Sequence, residues 1–355
     1  MRPESLSFLK ALLDAPGPSG FETAPARIWR TQAEGFADEV FPDVGGNSIA
    51  TLNLGGSPRV MFAGHIDEIG LMVTYIDDDG YLYFDPIGGW DHQVFVGQRV
   101  HLIGRDGPVI GVIGKKAVHL IETDERDKVS KAKDLWIDIG AGKREEAEER
   151  ARVGDAGVLS SSIVEFPNER IVSRSLDNRI GAFVVLEALR RLAGSPPAAC
   201  VTAVATSQEE IAYTGGGART SAIGVQAEVA VVVDVTHATD HPGVEKKEHG
   251  DVKLGGGPVL SRGSAVNPMV FDLLVQVAEE EQIPYTLQAA PRTTGTDADS
   301  IFTAHRGVAT GLVSVPNRYM HSPNEMVALD DLDKAADLLA AFTRRVTSAD
   351  DFVPR

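Results

Sequence analysis

Several side chains that could bind metal ions or transfer protons follow apolar, strand-like runs of this sequence. The runs and the residues after them are 59–63 before His65 and Asp67, 200–205 before Glu209 and Glu210, 229–233 before Asp234, and 311–315 before His321. In open α/β sheets, ligands bind beyond the carboxyl ends of the strands. If these runs are parallel strands of one sheet, the two imidazoles and the carboxylates meet at the same edge.

A further carboxylate, Asp177, precedes an apolar helix predicted over residues 178–192. Its simplest role is the N-cap of that helix, which contributes about 1 kcal/mol, although a capping carboxylate can still offer an oxygen to a cation. So many acids in one place repel each other unless they are protonated or neutralised. We therefore predict that one or two divalent cations bind among them.

The predicted ligands narrow the choice of metal. Imidazole and carboxylate ligands without thiolate suit zinc, cobalt or manganese. One bridging carboxylate, two others and two imidazoles would hold two ions roughly 3.5–4 Å apart. A carboxylate that binds no metal can act as a general base, and Asp67, two residues after His65, could orient the His65 ring. The residues alone leave open which of Glu209 and Glu210 is a ligand and which is the base.

The short motifs of several other enzyme classes are absent from the sequence. It has no G-x-S-x-G nucleophile motif and no H-E-x-x-H helix, and its glycine runs match neither G-x-G-x-x-G nor a Walker A loop. Two alternatives remain beside a metal-dependent hydrolase. A glycoside hydrolase needs two carboxyls roughly 5–9.5 Å apart around the bond, which neighbours on a strand such as Glu209 and Glu210 supply poorly. A non-catalytic assembly scaffold would need no metal.

The rest of the chain predicts how these residues are positioned. Runs that are apolar on both faces are typical of central strands in a mainly parallel sheet, and amphipathic patterns at 6–15 and after Asp330 predict helices beside it. Residues 73–164 contain short β-rich runs separated by turns, which is typical of a compact β module. We predict an α/β fold in which residues 1–72 and 165–355 form a mainly parallel sheet flanked by helices, with a small, all-β domain inserted at 73–164.

Composition excludes some partners. The 355-residue chain has 34 Lys and Arg against 51 Asp and Glu, a net charge of −17, and such a chain repels the phosphate backbones of nucleic acids. No run approaches the roughly 20 apolar residues of a membrane span, and the first residues lack the apolar stretch of a signal peptide. The one cysteine, Cys200, cannot form an intrachain disulfide. We expect a cytoplasmic protein that binds neither nucleic acid nor membrane.

Five ordered motifs resemble those of one known family. They are Gly64-His65-Ile66-Asp67-Glu68-Ile69-Gly70, Ser175-Leu176-Asp177-Asn178-Arg179, Gln208-Glu209-Glu210, Asp234-Val235-Thr236-His237-Ala238-Thr239-Asp240, and Arg318-Tyr319-Met320-His321-Ser322-Pro323-Asn324-Glu325-Met326. On these motifs the chain resembles the glutamyl aminopeptidase and tetrahedral aminopeptidase family of dinuclear metallopeptidases, some of which carry a cellulase or endoglucanase label. The resemblance covers nearly the whole chain, and Gly88-Gly89-Trp90-Asp91 resembles part of the family's inserted domain.

The resemblance implies a role for each candidate residue. The two sets of metal ligands would be His65, Asp177 and Asp234 for one ion and Asp177, Glu210 and His321 for the other. Asp177 would bridge the ions, Glu209 would be the general base, and Asp67 would orient His65.

The resemblance also implies an activity and an assembly. The expected fold is a zinc-peptidase-like catalytic domain that releases N-terminal residues from short peptides. Each subunit would carry two divalent metal ions, zinc or cobalt, with manganese as a further option. The inserted barrel-like domain would form dimers, and the dimers would assemble into a dodecamer.

One segment departs from the family pattern. Residues 211–216 read Ile-Ala-Tyr-Thr-Gly-Gly, where the family usually has Val-Gly-Leu-Arg-Gly-Ala. The missing arginine and the added Tyr213 put the usual substrate preference in question, although they leave the metal chemistry untouched. Arg318 or Arg292 could bind an acidic side chain of the substrate, or could equally be a surface or structural arginine.

Overall fold

The fold is built around an eight-stranded mixed sheet. A computed structural model of the chain describes residues 1–123, 128–211 and 216–354. From one edge of the sheet to the other, the strands are β1 (Glu39–Pro42), β2 (Ser48–Leu52), β12 (Cys200–Thr206), β3 (Arg59–His65), β13 (Val229–His237), β16 (Ala309–Asn317), β14 (Val259–Gly263) and β15 (Thr286–Ala290). The four central strands β12, β3, β13 and β16 are parallel to one another, while β2 and β14 run antiparallel to them.

The central strands are buried on both faces. Every residue of β12 is buried, and so is every residue of β3 after Arg59. Such strands need continuous apolar runs, because alternate side chains point to opposite faces and neither face contacts water. The four runs predicted from the sequence are confirmed as strands, each slightly longer than the run itself.

Helices flank this sheet. The longer ones are α1 (Pro3–Asp14), α2 (Thr23–Ala33), α4 (Leu176–Ala193), α5 (Gly216–Gly224), α7 (Pro268–Glu280) and α9 (Leu329–Arg345), and the short ones are α3 (Arg144–Glu148), α6 (Lys246–His249) and α8 (Ala298–Ile301). Helix α4 packs on β3, β12 and β13, and α1 and α9 pack on α4. Fifteen of the 18 residues of α4 are buried, so the prediction of a helix covered by other elements is confirmed.

A closed six-stranded barrel lies between β3 and β11 in the chain. Around the barrel the strands are β4 (Gly70–Ile76), β5 (Leu82–Ile87), β8 (Trp136–Asp138), β7 (Gly107–Gly114), β6 (Arg99–Gly104) and β9 (Ala156–Leu159). A separate apolar core that includes Leu71, Leu102 and Ile137 fills it. Beyond it, β10 (Val164–Phe166) pairs with β11 (Arg170–Ser173), which pairs with β17 (Glu325–Ala328).

The architecture is mixed α/β with a sheet that contains parallel strands, as predicted, and it includes a β barrel whose strands, between residues 70 and 159, overlap most of the segment expected to hold the inserted module. The domain limits at 72/73 and 164/165 remain a prediction. Across the described ranges, no helix has both the length and the apolar character that crossing a membrane requires.

Candidate metal centre

The carboxyl ends of the parallel strands bring most of the predicted residues together. His65 is the last residue of β3 and lies in register with Thr206, the last residue of β12. The other candidates lie at or after the same ends, with Glu209 and Glu210 after β12, Asp234 in the last part of β13 and His321 after β16. Strand register therefore sets these side chains at one edge of the sheet.

Asp177 lies between the two imidazoles. Its Oδ1 is 3.2 Å from His65 Nε2, and its Oδ2 is 3.4 Å from His321 Nε2. Burial opposes ionisation of this carboxyl, but the hydrogen bonds and positive charge of His321 and His65 outweigh burial and lower the pKa of Asp177 below its ordinary value. One oxygen toward each imidazole is the arrangement that a bridging carboxylate requires.

Two further carboxylates complete the cluster. Asp234 Oδ1 is 3.8 Å from His65 Nε2, and Glu210 Oε2 is 3.5 Å from His321 Nε2. Donor atoms of His65, Asp177 and Glu210 all lie within 4.8 Å of one another. The structure thus brings together all five residues that were predicted as metal ligands.

The chemistry of this cluster fits divalent cations. Glu210 Oε1 is buried and has no hydrogen-bond partner among the described residues, which is costly for a charged group. Burial and the neighbouring Asp177 carboxylate raise the pKa of Glu210 well above its ordinary value, and burial does the same for Asp234. A buried set of carboxylate and imidazole donors without thiolate suits zinc, cobalt or manganese.

Asp177 is not the helix cap that its position suggested. The backbone of Asp177 and Asn178 is not helical, and Asn178 Oδ1 accepts the backbone N–H of Gly181 at 3.0 Å. Asn178 is therefore the N-cap of the helix, because its side chain accepts the N–H of the residue three positions later. A Cβ at Gly181 would lie only 2.4 Å from that oxygen. Because Asn178 takes the capping role, the Asp177 carboxylate is left to face the imidazoles.

Asp67 connects His65 to the turn that carries the two glutamates. Its carboxylate accepts the backbone N–H groups of Glu209 at 3.1 Å and Glu210 at 3.2 Å, and the Ser19 hydroxyl at 2.6 Å. His65 Nδ1 is 3.3 Å from the Asp67 carbonyl oxygen and 3.4 Å from Asp67 Oδ1. With Nδ1 directed at Asp67, Nε2 of the same ring faces Asp177.

Glu209 lies at the side of the cluster. Its Oε2 is 3.7 Å from His65 Nε2. Burial, helped by the nearby Asp297 and Asp177 carboxylates and opposed by His65, raises the pKa of Glu209 to about 8. Glu209 and Glu210 are not neighbours on a strand, as the argument against a glycoside hydrolase assumed, because both follow the end of β12. Glu209 lies near His65 and Glu210 near His321.

Two buried carboxylates of the site were not predicted. Glu325, on β17, accepts the backbone N–H of Asp177 at 2.8 Å and that of His321 at 2.9 Å. Asp297 accepts the hydroxyl of Thr206, and burial raises the pKa of Asp297 to about 6. Neither acid directly follows one of the predicted strands, and that position was the pattern used to choose most of the other candidates.

Comparison with known proteins decides the family. A family model described as M42 glutamyl aminopeptidase matches residues 46–338. The chain belongs to the M42 family. Among its relatives, the lysyl aminopeptidase of Pyrococcus furiosus is 35% identical to this M42 chain over 352 residues, which cover 98% of both proteins.

Solved structures agree with this membership. The TET aminopeptidase from the marine sediment archaeon Thaumarchaeota archaeon SCGC AB-539-E09 is 35% identical, with a TM-score of 0.93 over 99% of both chains. The TET1 peptidase of Pyrococcus horikoshii is 30% identical, with a TM-score of 0.85 over 96% of this chain and 100% of that one. The predicted resemblance is confirmed, and the M42 chain is an aminopeptidase, a hydrolase of peptide bonds.

The residues considered for substrate preference in this M42 peptidase have different outcomes. Residues 212–215, which include Tyr213 and most of the segment that departs from the family pattern, lie outside the described residues. Arg318 donates from Nε to Asp240 Oδ1 at 2.8 Å and from Nη2 to the Asp240 carbonyl at 3.3 Å. Arg318 therefore supports the loop that leads to His321.

Proposed function

We propose that this M42 peptidase removes N-terminal residues from short peptides at a centre of two divalent metal ions, zinc or cobalt, with manganese also compatible. The observation that carries the proposal is the position of Asp177, which directs one oxygen toward each imidazole. A carboxylate that bridges two ions roughly 3.5–4 Å apart is the usual core of such centres.

The distances support one distribution of the ligands. His65, Asp177 and Asp234 would hold one ion, and Asp177, Glu210 and His321 would hold the other. Each pairing rests on an imidazole–carboxylate separation between 3.2 and 3.8 Å. The second ion would also give buried Glu210 Oε1 the partner that it lacks within the described chain.

Glu209 is suited to act as the general base. Divalent ions, when bound, supply Lewis acidity, which polarises a carbonyl group and lowers the pKa of water. Glu209 would accept a proton from the attacking water and pass it to the leaving amine nitrogen. Burial raises its pKa to about 8 in the metal-free protein, and neighbouring cations would lower this pKa again, as suits a group that must both accept and release a proton. Asp67 positions this base by accepting the Glu209 N–H.

The acidic surroundings favour a substrate with a free amino terminus. Asp297 is 4% exposed and close enough to Glu209 to raise its pKa. A protonated amino group would find complementary charge among Asp297 and the other carboxylates of this edge. Acylation of the amino group removes that charge, so blocked peptides should be poor substrates.

The barrel is suited to contact a second copy of the chain. On β7, Ile110 and Val112 are 52% and 47% exposed, while Val109 and Ile113, on either side of them in the strand, are buried. Apolar residues on the outer face of a barrel favour association. The TET1 peptidase of Pyrococcus horikoshii can assemble into a tetrahedron or a large octahedral shell, and by analogy we propose dimers formed through the barrel and a dodecamer formed from dimers.

A buried free thiol at Cys200 is compatible with a reducing, cytoplasmic setting.

A panel of aminoacyl chromogenic substrates, each tested with zinc, cobalt and manganese, tests the proposal. We expect no hydrolysis by the metal-free protein, recovery with at least one metal, and no cleavage of N-acetylated substrates. Full hydrolysis after complete metal removal would contradict the metal-dependent mechanism. Fewer than one divalent ion per chain in carefully prepared protein would favour the scaffold alternative, and cellulose hydrolysis that survives chelation would favour the glycoside hydrolase.

A further inference from the structure

The barrel reaches the candidate metal centre through one backbone carbonyl. Residues 88–90, which we name the barrel loop, follow strand β5. His321 Nδ1 lies 2.6 Å from the carbonyl oxygen of Gly89. A carbonyl oxygen can only accept, so Nδ1 carries a hydrogen, and Nε2, which faces Asp177 and Glu210, is the ring nitrogen left to bind a metal ion. Imidazole ligands of metals are commonly oriented by such a bond from the other ring nitrogen.

The barrel loop is held closely against its surroundings. Trp90 Nε1 donates to the Gly70 carbonyl at 2.9 Å, and the Trp90 ring lies 4.8 Å from that of Phe95 in the barrel core. Gly88 has a φ of +77°, and a Cβ there would lie 2.6 Å from Ile69 Cγ2. A Cβ on Gly89 would lie 3.4 Å from His321 Nδ1, so the loop leaves no gap between barrel and imidazole.

The loop that carries His321 depends on contacts outside itself. Tyr319 and His321 have φ values of 62° and 59°, a left-handed backbone that non-glycine residues adopt only when neighbouring structure enforces it. Glu325 fixes the His321 N–H. The segment that leaves the barrel adds a second contact, because Ser161 Oγ donates to the Pro323 carbonyl at 2.6 Å.

We propose that the barrel loop is a positioning element for His321, so that the barrel sets the affinity of the metal ion that His321 would hold. The inference rests on the metal centre proposed above and extends it to residues outside the ligand set. It predicts that a small displacement of the barrel loop lowers the affinity for the ion that His321 would hold. The affinity for the other ion, held by His65, Asp177 and Asp234, should not change.

Two variants displace the barrel loop in different ways. Gly88→Ala forces its new Cβ into Ile69 and, at 3.6 Å, toward the Glu210 side chain. Trp90→Phe keeps an aromatic ring beside Phe95, makes it smaller, and removes the hydrogen bond to Gly70. The matched control for the first is Gly97→Ala, since Gly97 has a φ of +78° and, apart from its chain neighbours, no described atom lies within 4 Å of its would-be Cβ. Trp136→Phe, elsewhere in the barrel, is the control for the second.

Each full-length protein is loaded with cobalt and dialysed against graded chelator, and bound cobalt per chain is measured by elemental analysis. For Gly88→Ala and Trp90→Phe we expect one ion to be lost at about tenfold to 100-fold lower chelator, with the second ion retained as in wild type. In Trp90→Phe, the side-chain ¹⁵N resonance of His321 Nδ1 should also shift. Both controls should match wild type.

The outcomes separate this inference from the proposed function. If Gly88→Ala fails to fold, Trp90→Phe decides alone. Folded variants that hold both ions with wild-type affinity, or that lose both equally, overturn the role of the barrel loop while the metal centre stands. A wild-type protein that binds fewer than one cobalt ion per chain overturns the metal centre itself.

Discussion

Asp177 is held by Glu325 through its backbone while its side chain faces the imidazoles. The Asp177 N–H donates to Glu325 Oε2 at 2.8 Å, and the second oxygen of Glu325 accepts the His321 N–H at 2.9 Å. One buried carboxylate thus fixes two proposed ligands that are far apart in the sequence and belong to different elements. Their relative position depends on Glu325, which touches neither ligand's side chain in these contacts.

We predict that Glu325→Gln loosens this pair of ligands. A carboxamide can accept one of the two N–H groups but presents its own N–H₂ to the other, and an unsatisfied buried N–H costs about 1–3 kcal/mol. The free energy of unfolding of the metal-free protein should fall by about that amount in urea titrations, and cobalt affinity should fall with it. The exposed Glu39→Gln is the control. Unchanged stability and affinity would remove Glu325 from this role.

We predict that the two adjacent glutamates respond differently to the same substitution. Glu209→Gln should keep both metal ions and lower kcat by at least about 100-fold, because only the proton-transferring carboxylate is lost. Glu210→Gln should lose one ion. Metal content and kcat are measured on the same preparations. Near-full activity of Glu209→Gln, or the opposite pattern of metal loss, would reverse or remove the assigned roles.

Stability should depend on pH differently with and without metal. The pKa of Glu209 rises from 4.5 in an exposed chain to about 8 in the folded metal-free protein. Between these two pH values the folded protein therefore holds a proton that the unfolded chain has released. Its contribution to stability is therefore present below pH 4.5 and is lost as the pH rises toward 8. The raised pKa of His65 acts in the same direction, whereas the lowered pKa of Asp177 matters only in acid.

Metal ions bind the ionised carboxylates and therefore compete with these protons. We predict that the gain in thermal midpoint on adding cobalt is larger at pH 8 than at pH 6. Comparing loaded and metal-free protein at each pH cancels titrations elsewhere in the chain. A gain that is constant or shrinks over this range would contradict the coupling.

We predict that one lysine on the outer face of the barrel disrupts self-association. Ile110→Lys places like charges at a surface that would meet its own copy, and burying them unpaired is costly. Sedimentation velocity should show smaller species for Ile110→Lys than for wild type. Leu54→Lys, at a site with a similar exposure of 53% against 52%, should sediment like wild type. If Ile110→Lys keeps the wild-type distribution, β7 is not in the contact.

The sequence allowed the strand-end residues to be predicted because burial on both faces demands unbroken apolar runs. His65 and Asp234 lie at the ends of such runs, and those ends define the ligand-binding edge of the sheet. The parallel register then brings His65 beside Thr206, so the turn with Glu209 and Glu210 follows at the same edge. Membership of the M42 family was predictable from the order and spacing of whole motifs.

Other parts of the site depend on contacts that carry no local signal. Asp177 was predicted to cap the helix, but Asn178 does so, and the non-helical backbone that decides this is bound by Glu325 on a distant strand. The Gly89 carbonyl contacts His321 through the backbone, and a backbone contact cannot be predicted from the residue type. Side-chain chemistry could therefore be read from the sequence more completely than the supports that hold it in place.

Anomalous diffraction at the zinc edge from zinc-loaded crystals tests the central claim most directly. We predict two peaks roughly 3.5–4 Å apart, one beside His65 and Asp234 and one beside Glu210 and His321, with Asp177 contacting both. The absence of any peak at this edge of the sheet, or peaks elsewhere with these five side chains unliganded, would contradict the dinuclear centre and the mechanism built on it.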